Sequence, residues 1–296
     1  MINITFLGTS AMIPTKERNH TSILVSYNNQ GILIDCGEGT QRQLRIAGVK
    51  PSRITKLLIT HWHGDHVLGI PGLIQNLAAH NYKNVLEIYG PRGSKKYLKN
   101  LLAGIAMQEK IKYEIKEISS GIFYKNDFTL ESAPLNHIVP CLAYSFKEKD
   151  RRKINLDYLK KFGLTQHPLL GDLQKGKNIV YKGKKISASK ATTLIKGKKI
   201  TIIMDTAPTN NAVKIAKDSD ILIAESTWSK DLEKFVMKRK HLTAELAAKI
   251  AKQSRAKRLI LTHFSQRYKN IKDLENEARK VFPNTALAED FMQINI

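Results

Sequence analysis

The feature that most constrains this chain is a short apolar run, Leu57-Leu58-Ile59-Thr60, that leads directly into His61-Trp62-His63-Gly64-Asp65-His66. The run has the length and composition of a buried β-strand, and Val67-Leu68-Gly69-Ile70 then begins a helical pattern. A buried strand that ends in metal-binding side chains predicts a site at the edge of a sheet. The alternative, a polar turn with surface histidines, does not explain four such side chains within six positions.

The spacing within this cluster predicts two neighbouring metal ions. His61 and His63 stand two residues apart at a strand end, so their side chains project to one side and can share an ion. Asp65 and His66 fall in the following turn, within reach of a second ion, and Gly64 permits the close backbone path. Imidazole nitrogens and carboxylate oxygens are ligands that Zn²⁺ and similar ions take.

Two ions need more ligands, and three later residues stand in a comparable setting. Asp205 and His263 directly follow apolar strand-like runs, and His137 follows the strand candidate 127–133 after a short turn. Each of these residues alone is more often structural than a ligand. Together with the earlier cluster they complete two coordination spheres, in which Asp205 can bridge both ions.

The remaining histidines divide into two groups. His241 stands just before a predicted helix whose N-terminus favours an anion, and a histidine there can donate a proton to a leaving oxygen. Helix capping or surface packing is the alternative for His241. We predict that His20, His80 and His167, which have no comparable setting, are ordinary surface or loop residues.

Short β-branched runs alternate with helical patterns along the chain. The predicted strands are 2–7, 22–27, 32–35, 57–60, 85–89, 111–118, 127–133, 141–146, 199–204, 220–224 and 258–262. The predicted helices are 39–47, 67–79, 94–107, 210–217, 243–254 and 271–281. Early strands follow one another through short turns and later strands are separated by helices, which predicts an α/β fold with two mixed sheets flanked by helices.

Charge is unevenly distributed along the chain. Its 49 Lys and Arg against 26 Asp and Glu give a net charge of +23, which attracts polyanions, nucleic acid first. Residues 147–199 hold 16 basic and 4 acidic residues, a net charge of +12. The alternative is a lysine-rich surface from a compositionally biased genome. Because the Lys- and Gly-rich stretch at about 148–188 also interrupts the regular pattern, we predict an inserted arm there.

Bulk properties set broader limits. The 296 residues are predicted to form a single domain, 1–296, that carries the inserted arm. No apolar run approaches the roughly 20 residues that a membrane span needs. The start of the sequence lacks a signal-peptide pattern, so the cytoplasm is the expected location, without membrane contact. Cys36 and Cys141 lie in apolar runs and are predicted to be small core residues.

The motifs of the chain resemble the ribonuclease Z family, in its short form, within the metallo-β-lactamase superfamily. The segments that carry the resemblance are 14–19 (PTKERN), 35–44 (DCGEGTQRQL), 60–73 (THWHGDHVLGIPGL) and 262–268 (THFSQRY). The resemblance implies a metallo-β-lactamase-like αββα sandwich. It also implies a zinc-dependent endoribonuclease that removes the 3′ trailer from precursor tRNA, cutting after the discriminator nucleotide to leave a 3′-hydroxyl.

The same resemblance implies a role for each candidate residue. Two Zn²⁺ ions per chain, with Mn²⁺ or another divalent ion as alternatives, would be held by one set of four residues each: His61, His63, His137 and Asp205, and Asp65, His66, Asp205 and His263. Asp65 would also orient the attacking water, and His241, held by Glu225, would protonate the 3′ leaving oxygen. Arg267 would contact phosphate. The arm would hold tRNA, and the chain would form a homodimer.

The loop 14–19 is the family segment associated with sensing the CCA end of tRNA, so the resemblance implies substrate contacts by Lys16, Arg18 and Asn19. Two departures stand out. Ala224-Glu225-Ser226-Thr227 replaces the family's His-Glu-Ala-Thr, and the arm's glycine motif is weak, which leaves its mode of tRNA contact open.

Two alternative functions remain at this stage. The first is another hydrolase on the same fold, such as a small-molecule phosphodiesterase, an arylsulfatase-like enzyme or a thioesterase. The motifs at 14–19 and 35–44 and the basic arm argue against it. The second is a nucleic-acid-binding module that has lost catalysis, and the complete set of proposed ligands argues against that.

Overall fold

Two β-sheets of seven strands each face one another in the computed structural model, which describes residues 1–106 and 111–296. In spatial order the first sheet contains β18 (Gln293–Asn295), β1 (Ile2–Gly8), β2 (Ser22–Tyr27), β3 (Gln30–Ile34), β4 (Ile54–Leu58), β5 (Leu86–Gly90) and β6 (Tyr113–Glu117). The second contains β17 (Thr285–Leu287), β16 (Leu259–Thr262), β15 (Ile221–Glu225), β14 (Lys199–Ile203), β9 (Leu142–Glu148), β8 (Phe128–Pro134) and β7 (Gly121–Lys125).

Both sheets are mixed, as the sequence predicts. From β3 to β6 the first sheet is parallel, and its other pairs are antiparallel. From β14 to β17 the second sheet is parallel, and its other pairs are antiparallel. Parallel strands covered on both faces are apolar throughout, and β15 (ILIAE) is buried at every position. The carboxyl ends of the parallel strands therefore meet at one edge of each sheet.

Helices cover the outer face of each sheet. Against the first lie α1 (Thr40–Ile46), α2 (Gly64–Val67), α3 (Ile70–Ala79) and α4 (Ser94–Ala103). Against the second lie α8 (Asn210–Ala216), α10 (Ala244–Ser254) and α11 (Lys272–Arg279), and α9 (Glu233–Arg239) precedes α10 along the chain. The predicted αββα layering is confirmed.

The sequence of α10 explains its position. Thr243 caps its N-terminus by accepting a hydrogen bond from the Leu246 amide, and Arg255 ends it in the left-handed conformation, φ 56°. Leu246, Ile250 and Ser254, four residues apart, form a buried stripe against the second sheet. The amphipathic spacing therefore determines which face of this helix is buried.

The main hydrophobic core lies between the two sheets. Phe6 from the first sheet and Phe128 and Tyr144 from the second are its largest fully buried side chains. The Tyr144 hydroxyl donates across the core to the carbonyl of Ile59, at 2.7 Å. This bond joins the sheets at the edge where β4 ends.

Residues 151–195 leave this sandwich and form a small unit of their own. It contains β10 (Arg151–Ile154), α5 (Leu156–Lys160), α6 (Leu169–Gln174), β11 (Ile179–Tyr181), β12 (Lys184–Ile186), α7 (Ala188–Ala191) and β13 (Thr192–Ile195). Leu159, Leu173 and Ile186 are fully buried in its separate hydrophobic cluster. β13 lies beyond 188 and pairs with β10, so the excursion closes later than the sequence predicts.

Every predicted strand and helix overlaps an observed one, with three corrections. The helix predicted at 67–79 is two helices, because the chain breaks at Leu68 and Gly69, and Pro71 then starts α3. The helix predicted at 94–107 ends at Ala103, and residue 107 lies outside the described residues. The three-residue strands β17 and β18 and the exposed strand β7 were not predicted, because short or exposed strands have weak patterns.

Among the residues that the structure describes, none of the helices has the length and apolar character of a membrane-spanning segment.

Candidate metal centre

The candidate ligands gather where strands of the two facing sheets end. His61 and His63 follow β4, Asp205 follows β14 and His263 follows β16. These are all parallel strands, whose carboxyl ends form the usual location of a site in mixed sheets. His263 adopts a positive φ of 61°, an uncommon conformation for a non-glycine residue that turns its side chain off the end of β16.

Asp65 and His66 are positioned by the single turn of α2. The Cys36 amide donates to the His66 carbonyl at 2.8 Å, and the Gly69 amide donates to the Cys36 carbonyl at 2.9 Å. A Cβ on Gly69 would stand 2.1 Å from the Gly37 carbonyl oxygen, so only glycine permits this close packing. The position of the side chains of 61–66 thus depends on the segment 35–37 that packs against them.

The first group of ligand atoms comes from His61, His63, His137 and Asp205, which lie within 4.8 Å of one another. His63 Nδ1 lies 3.1 Å from His61 Nε2 and 3.3 Å from His137 Nε2. Asp205 Oδ2 lies 3.6 Å from His61 Nε2 and 3.8 Å from His137 Nε2. Three nitrogens and one oxygen therefore surround a common point.

The second group comes from Asp65, His66 and His263. His66 Nε2 lies 3.3 Å from His263 Nε2, and Asp65 Oδ2 lies 3.4 Å and 3.6 Å from these two nitrogens. Asp205 Oδ1 is 3.6 Å from His66 Nε2 and 3.2 Å from His263 Nε2. One oxygen of Asp205 thus faces each group, the geometry of a bridging carboxylate.

These contacts fit divalent metal ions. Nitrogen ligands about 2.0–2.1 Å from a tetrahedral zinc ion stand about 3.3–3.4 Å from one another, close to the spacings observed. The Oδ1 atoms of Asp65 and Asp205 are buried without a hydrogen-bond donor among the described residues. A buried carboxylate oxygen without a donor needs a cation to offset its lost hydration.

Asp35 sets the tautomers of two of these histidines. Its carboxylate, fully buried, accepts hydrogen bonds of 2.7 Å from the Thr60 amide, from the Thr60 hydroxyl and from His66 Nδ1. Because the only Thr60 hydroxyl proton points to Asp35, the Thr60 oxygen accepts from His61 Nδ1, at 3.0 Å. When these two rings are neutral, the Nε2 atoms of His61 and His66 therefore carry the lone pairs toward the cluster.

Two further acceptors act on the other side of the site. Thr227 donates its hydroxyl proton to Glu225, so its oxygen accepts from His263 Nδ1 at 2.9 Å. His137 Nδ1 donates to the Lys240 carbonyl at 3.0 Å. Both rings therefore also present an unprotonated Nε2, the form that binds metal.

The ionisation of most of the cluster agrees with metal binding, and His66 differs. Burial lowers the pKa of His66, but Asp65, Asp35 and Asp205 outweigh it and hold it well above the ordinary value, so His66 must lose a proton when a metal binds. Burial lowers the pKa of His61, His63 and His137, which keeps these rings neutral at neutral pH. Burial alone would raise the pKa of Asp65 and Asp205, but the neighbouring histidines outweigh it and hold both pKa values well below the ordinary range. Neutral imidazoles and ionised carboxylates are the metal-binding forms.

His241 faces the buried carboxylate of Glu225. Its Nδ1 lies 3.2 Å and 3.3 Å from the two Glu225 oxygens and 3.7 Å from Asp205 Oδ2. Burial lowers the pKa of His241, but Glu225 and Asp205 outweigh it and raise the pKa to about 9. Asp205, His241 and His263 could also hold an ion by spacing alone, but Glu225 is the closest partner of His241 Nδ1.

A cleft of about 470 Å³ opens onto these residues. Arg267 lines it, exposed, with its guanidinium 3.9 Å from the centre of the Trp228 ring. Lys16 and Arg18 instead line a separate hollow with Lys269. The structure therefore brings Arg267 to the candidate metal centre and leaves these two loop residues outside its cleft.

The polar groups of the loop 14–19 differ in what they contact. Arg18 Nη2 donates to the Tyr268 carbonyl at 2.9 Å, and Asn19 Nδ2 donates to the Glu38 carbonyl at 2.8 Å. Both side chains thus tie the loop to neighbouring segments, while Lys16 is exposed.

Sequence reasoning missed several residues of this site and misjudged one histidine. Asp35 and Thr227 had no assigned role, and their only signals were membership of 35–44 and adjacency to Glu225. His20, predicted to be a surface or loop residue, is only 7% exposed, and its Nε2 lies 3.1 Å from the Met12 carbonyl oxygen. The prediction for His20 is wrong because its side chain packs closely against Gly37, in a different segment of the chain.

Comparison with known proteins relates this architecture to one family. Residues 2–152 match the family model of the anti-Pycsar protein Apyc1. Ribonuclease Z of Methanothermobacter thermautotrophicus is 37% identical over 298 residues, covering 100% of this chain and 97% of its own. Ribonuclease Z of Archaeoglobus fulgidus is 37% identical over 303 residues, covering 100% and 98%.

Solved structures agree with the sequence relatives. The short form of human tRNase Z superposes with a TM-score of 0.72 at 29% identity, covering 99% of both chains. The metallo-β-lactamase fold protein YhfI of Bacillus subtilis, at 17% identity, gives a TM-score of 0.71 over 99% of this chain and 98% of its own, which supports the fold. The similarity extends over the whole chain in both comparisons, and the chain belongs to the ribonuclease Z family of metallo-β-lactamase fold proteins.

Proposed function

We propose that this chain is a metal-dependent endoribonuclease that removes the 3′ trailer from precursor tRNA. The cut falls after the discriminator nucleotide and leaves a 3′-hydroxyl on the tRNA. The observation that carries the proposal is the double ligand cluster with the His241–Glu225 pair beside it, in a chain that is 37% identical to ribonuclease Z over its full length.

Two Zn²⁺ ions are the proposed cofactors, with Mn²⁺ as the alternative. One would be held by His61, His63, His137 and Asp205, and the other by Asp65, His66, Asp205 and His263. When bound, such ions lower the pKa of a water to about 7 and neutralise charge on the attacked phosphate.

The chain's own residues would orient water and move the proton. Asp65, whose buried Oδ1 has no hydrogen-bond donor among the described residues, would orient the attacking water. Glu225 accepts from His241 Nδ1, which leaves Nε2 free to protonate the 3′ leaving oxygen. The Thr206 amide also donates to Glu225, at 2.8 Å, and so holds the carboxylate that orients the ring.

Substrate contacts in the proposal come from three places. The hairpin of β11 and β12 exposes Lys182, Lys184 and Lys185, which supply phosphate contacts without reading sequence. Lys16, Arg18 and Asn19 belong to the loop proposed to sense the CCA end, with Lys16 as the exposed contact and the other two as anchors. Arg267 is the proposed phosphate contact in the cleft. We also propose a homodimer acting in the cytoplasm, and a single domain that carries the arm.

Cleavage mapping tests the activity. Purified chain, stripped of metal and then supplied with Zn²⁺ or Mn²⁺, is incubated with a precursor tRNA that carries a 3′ trailer. We expect one cut after the discriminator nucleotide, a 3′-hydroxyl on the tRNA product, and loss of cutting when a chelator is added. If neither Zn²⁺ nor Mn²⁺ supports cleavage at one defined 3′ position, the proposal is refuted.

A chromogenic phosphodiester distinguishes the small-molecule alternative. A phosphodiesterase for small substrates would give a higher kcat/KM on this compound than on precursor tRNA. The basic arm predicts the opposite order, because its exposed lysines can contact only a large polyanion.

A further inference from the structure

Four side chains form a continuous row of contacts along one wall of the cleft, which we call the Arg–Trp–Phe–Arg ladder: Arg267, Trp228, Phe235 and Arg239. The Arg267 guanidinium carbon lies 3.9 Å from the Trp228 ring centre, and the Arg239 guanidinium carbon lies 4.8 Å from that of Phe235. The two rings meet edge to face at 4.9 Å and 61°. Two aromatic rings are thus held between two cations.

The ladder has features that stability does not explain. Phe235 is 41% exposed, and the buried Trp228 Nε1 has no hydrogen-bond partner among the described residues. Neither Arg239 nor Arg267 forms a salt bridge within the part of the chain that the structure describes. An exposed ring with one guanidinium group over it, and a second guanidinium group over the neighbouring ring, is suited to bind a flat, negatively charged ligand.

The ladder also lies directly beside His241. The His241 amide donates to the carbonyl of Val236, which neighbours Phe235, at 3.3 Å. Trp228 pairs with Thr243 in a β-bridge, and its carbonyl accepts from the Ala244 amide at 3.2 Å. His241 and the four ladder residues also line the same cleft, so a substrate that reaches His241 can contact the ladder as well.

We propose that the ladder binds the nucleotide whose 3′ oxygen leaves during cleavage. Its base packs against the exposed surface of Phe235 and Arg239, and the guanidinium groups contact the adjoining phosphates. This inference rests on the proposed function, in which His241 protonates that oxygen. Stacking on an aromatic ring tolerates any base, so the ladder secures the nucleotide without selecting its identity.

A double-mutant cycle, in which one change is made in the protein and the other in the substrate, tests the inference. Wild type and Phe235→Leu are compared on a precursor tRNA with an intact discriminator base and on one abasic at that position. Phe235→Leu keeps an apolar side chain that favours helix but removes the ring. In wild type, loss of the base should lower kcat/KM about tenfold, a modest value for one base–aromatic stack. In Phe235→Leu, loss of the base should change kcat/KM less than twofold.

Two matched variants separate stacking from general damage to α9. Phe235→Trp keeps an aromatic surface and should restore the dependence on the base. Met237→Leu changes a residue of the same helix that is 42% exposed and does not line the cleft, and it should behave as wild type on both substrates.

The outcomes distinguish this inference from the proposed function. If wild type cuts the intact precursor and the loss of the base costs the same factor in Phe235→Leu, the ladder does not bind the base, while the nuclease assignment stands. If wild type cuts neither precursor under any metal condition, both fail, because the inference depends on the cleavage.

Discussion

Replacing Asp35 with asparagine removes the charge that orders two candidate metal ligands. The carboxylate accepts three hydrogen bonds of 2.7 Å, two from Thr60 and one from His66. Asparagine is the matched change because Asp35 has a positive φ of 57°, a conformation that Asn and Asp both tolerate. The substitution therefore changes hydrogen bonding with little backbone strain.

The amide cannot reproduce the three bonds of Asp35 in either orientation. With its NH₂ group toward His66 Nδ1, two donors meet, and the ring must shift its proton to Nε2, where the metal would bind. With its NH₂ group toward the Thr60 amide, two donors meet there instead. Loss of such a supporting contact weakens metal binding by about 10- to 100-fold, or about 1.4–2.8 kcal/mol.

A competition titration with a chelating zinc indicator measures this loss. Asp290→Asn is the control, because Asp290 is a half-buried carboxylate that also accepts three hydrogen bonds, from Thr9, Asn19 and Gln43, away from the candidate ligands. We expect weaker zinc binding in Asp35→Asn and unchanged binding in Asp290→Asn. Equal zinc affinity in wild type and Asp35→Asn would refute the argument from tautomers.

Three further predictions concern catalysis, packing and the arm. His241→Ala should lower kcat for precursor cleavage by about 10²- to 10⁴-fold with unchanged metal content. Gly69→Ala should lower the free energy of unfolding, measured by thermal or urea melts, by about 3 kcal/mol, because its Cβ would overlap a backbone oxygen. The control Gly171→Ala has open space around it in α6, so its free energy of unfolding should stay unchanged or rise by about 0.5–1 kcal/mol. Residues 150–196 can be replaced with a tight turn, because the flanking strands already pair at 147 and 199. In this variant the affinity for tRNA, measured by gel shift, should fall steeply, while hydrolysis of the chromogenic phosphodiester persists. Equal loss of both would mean that the arm is structural.

Local sequence pattern predicted most of this architecture. Strands such as β4 and β14 are mostly apolar and are followed directly by polar residues. Both properties can be seen in consecutive residues of the sequence, so they can be predicted without the fold. The helix predicted at 67–79 was misjudged because its break comes from close packing of Gly69 on Gly37, a contact between residues far apart in the chain. The prediction that His20 lies at the surface was wrong for the same kind of reason.

The sequence by itself determined the inventory of the site, because strand-end positions and residue types identify His61, Asp205 and His263 as ligand candidates one strand at a time. Only the tertiary structure shows which of them lie close enough to share an ion and which ring nitrogen of each faces the others. Those properties depend on contacts such as Asp35 with His66 and Thr227 with His263, between segments that meet only when both sheets pack. The ladder could not be predicted from the sequence either. Its residues come from three separate segments, and no periodic pattern in the sequence connects them.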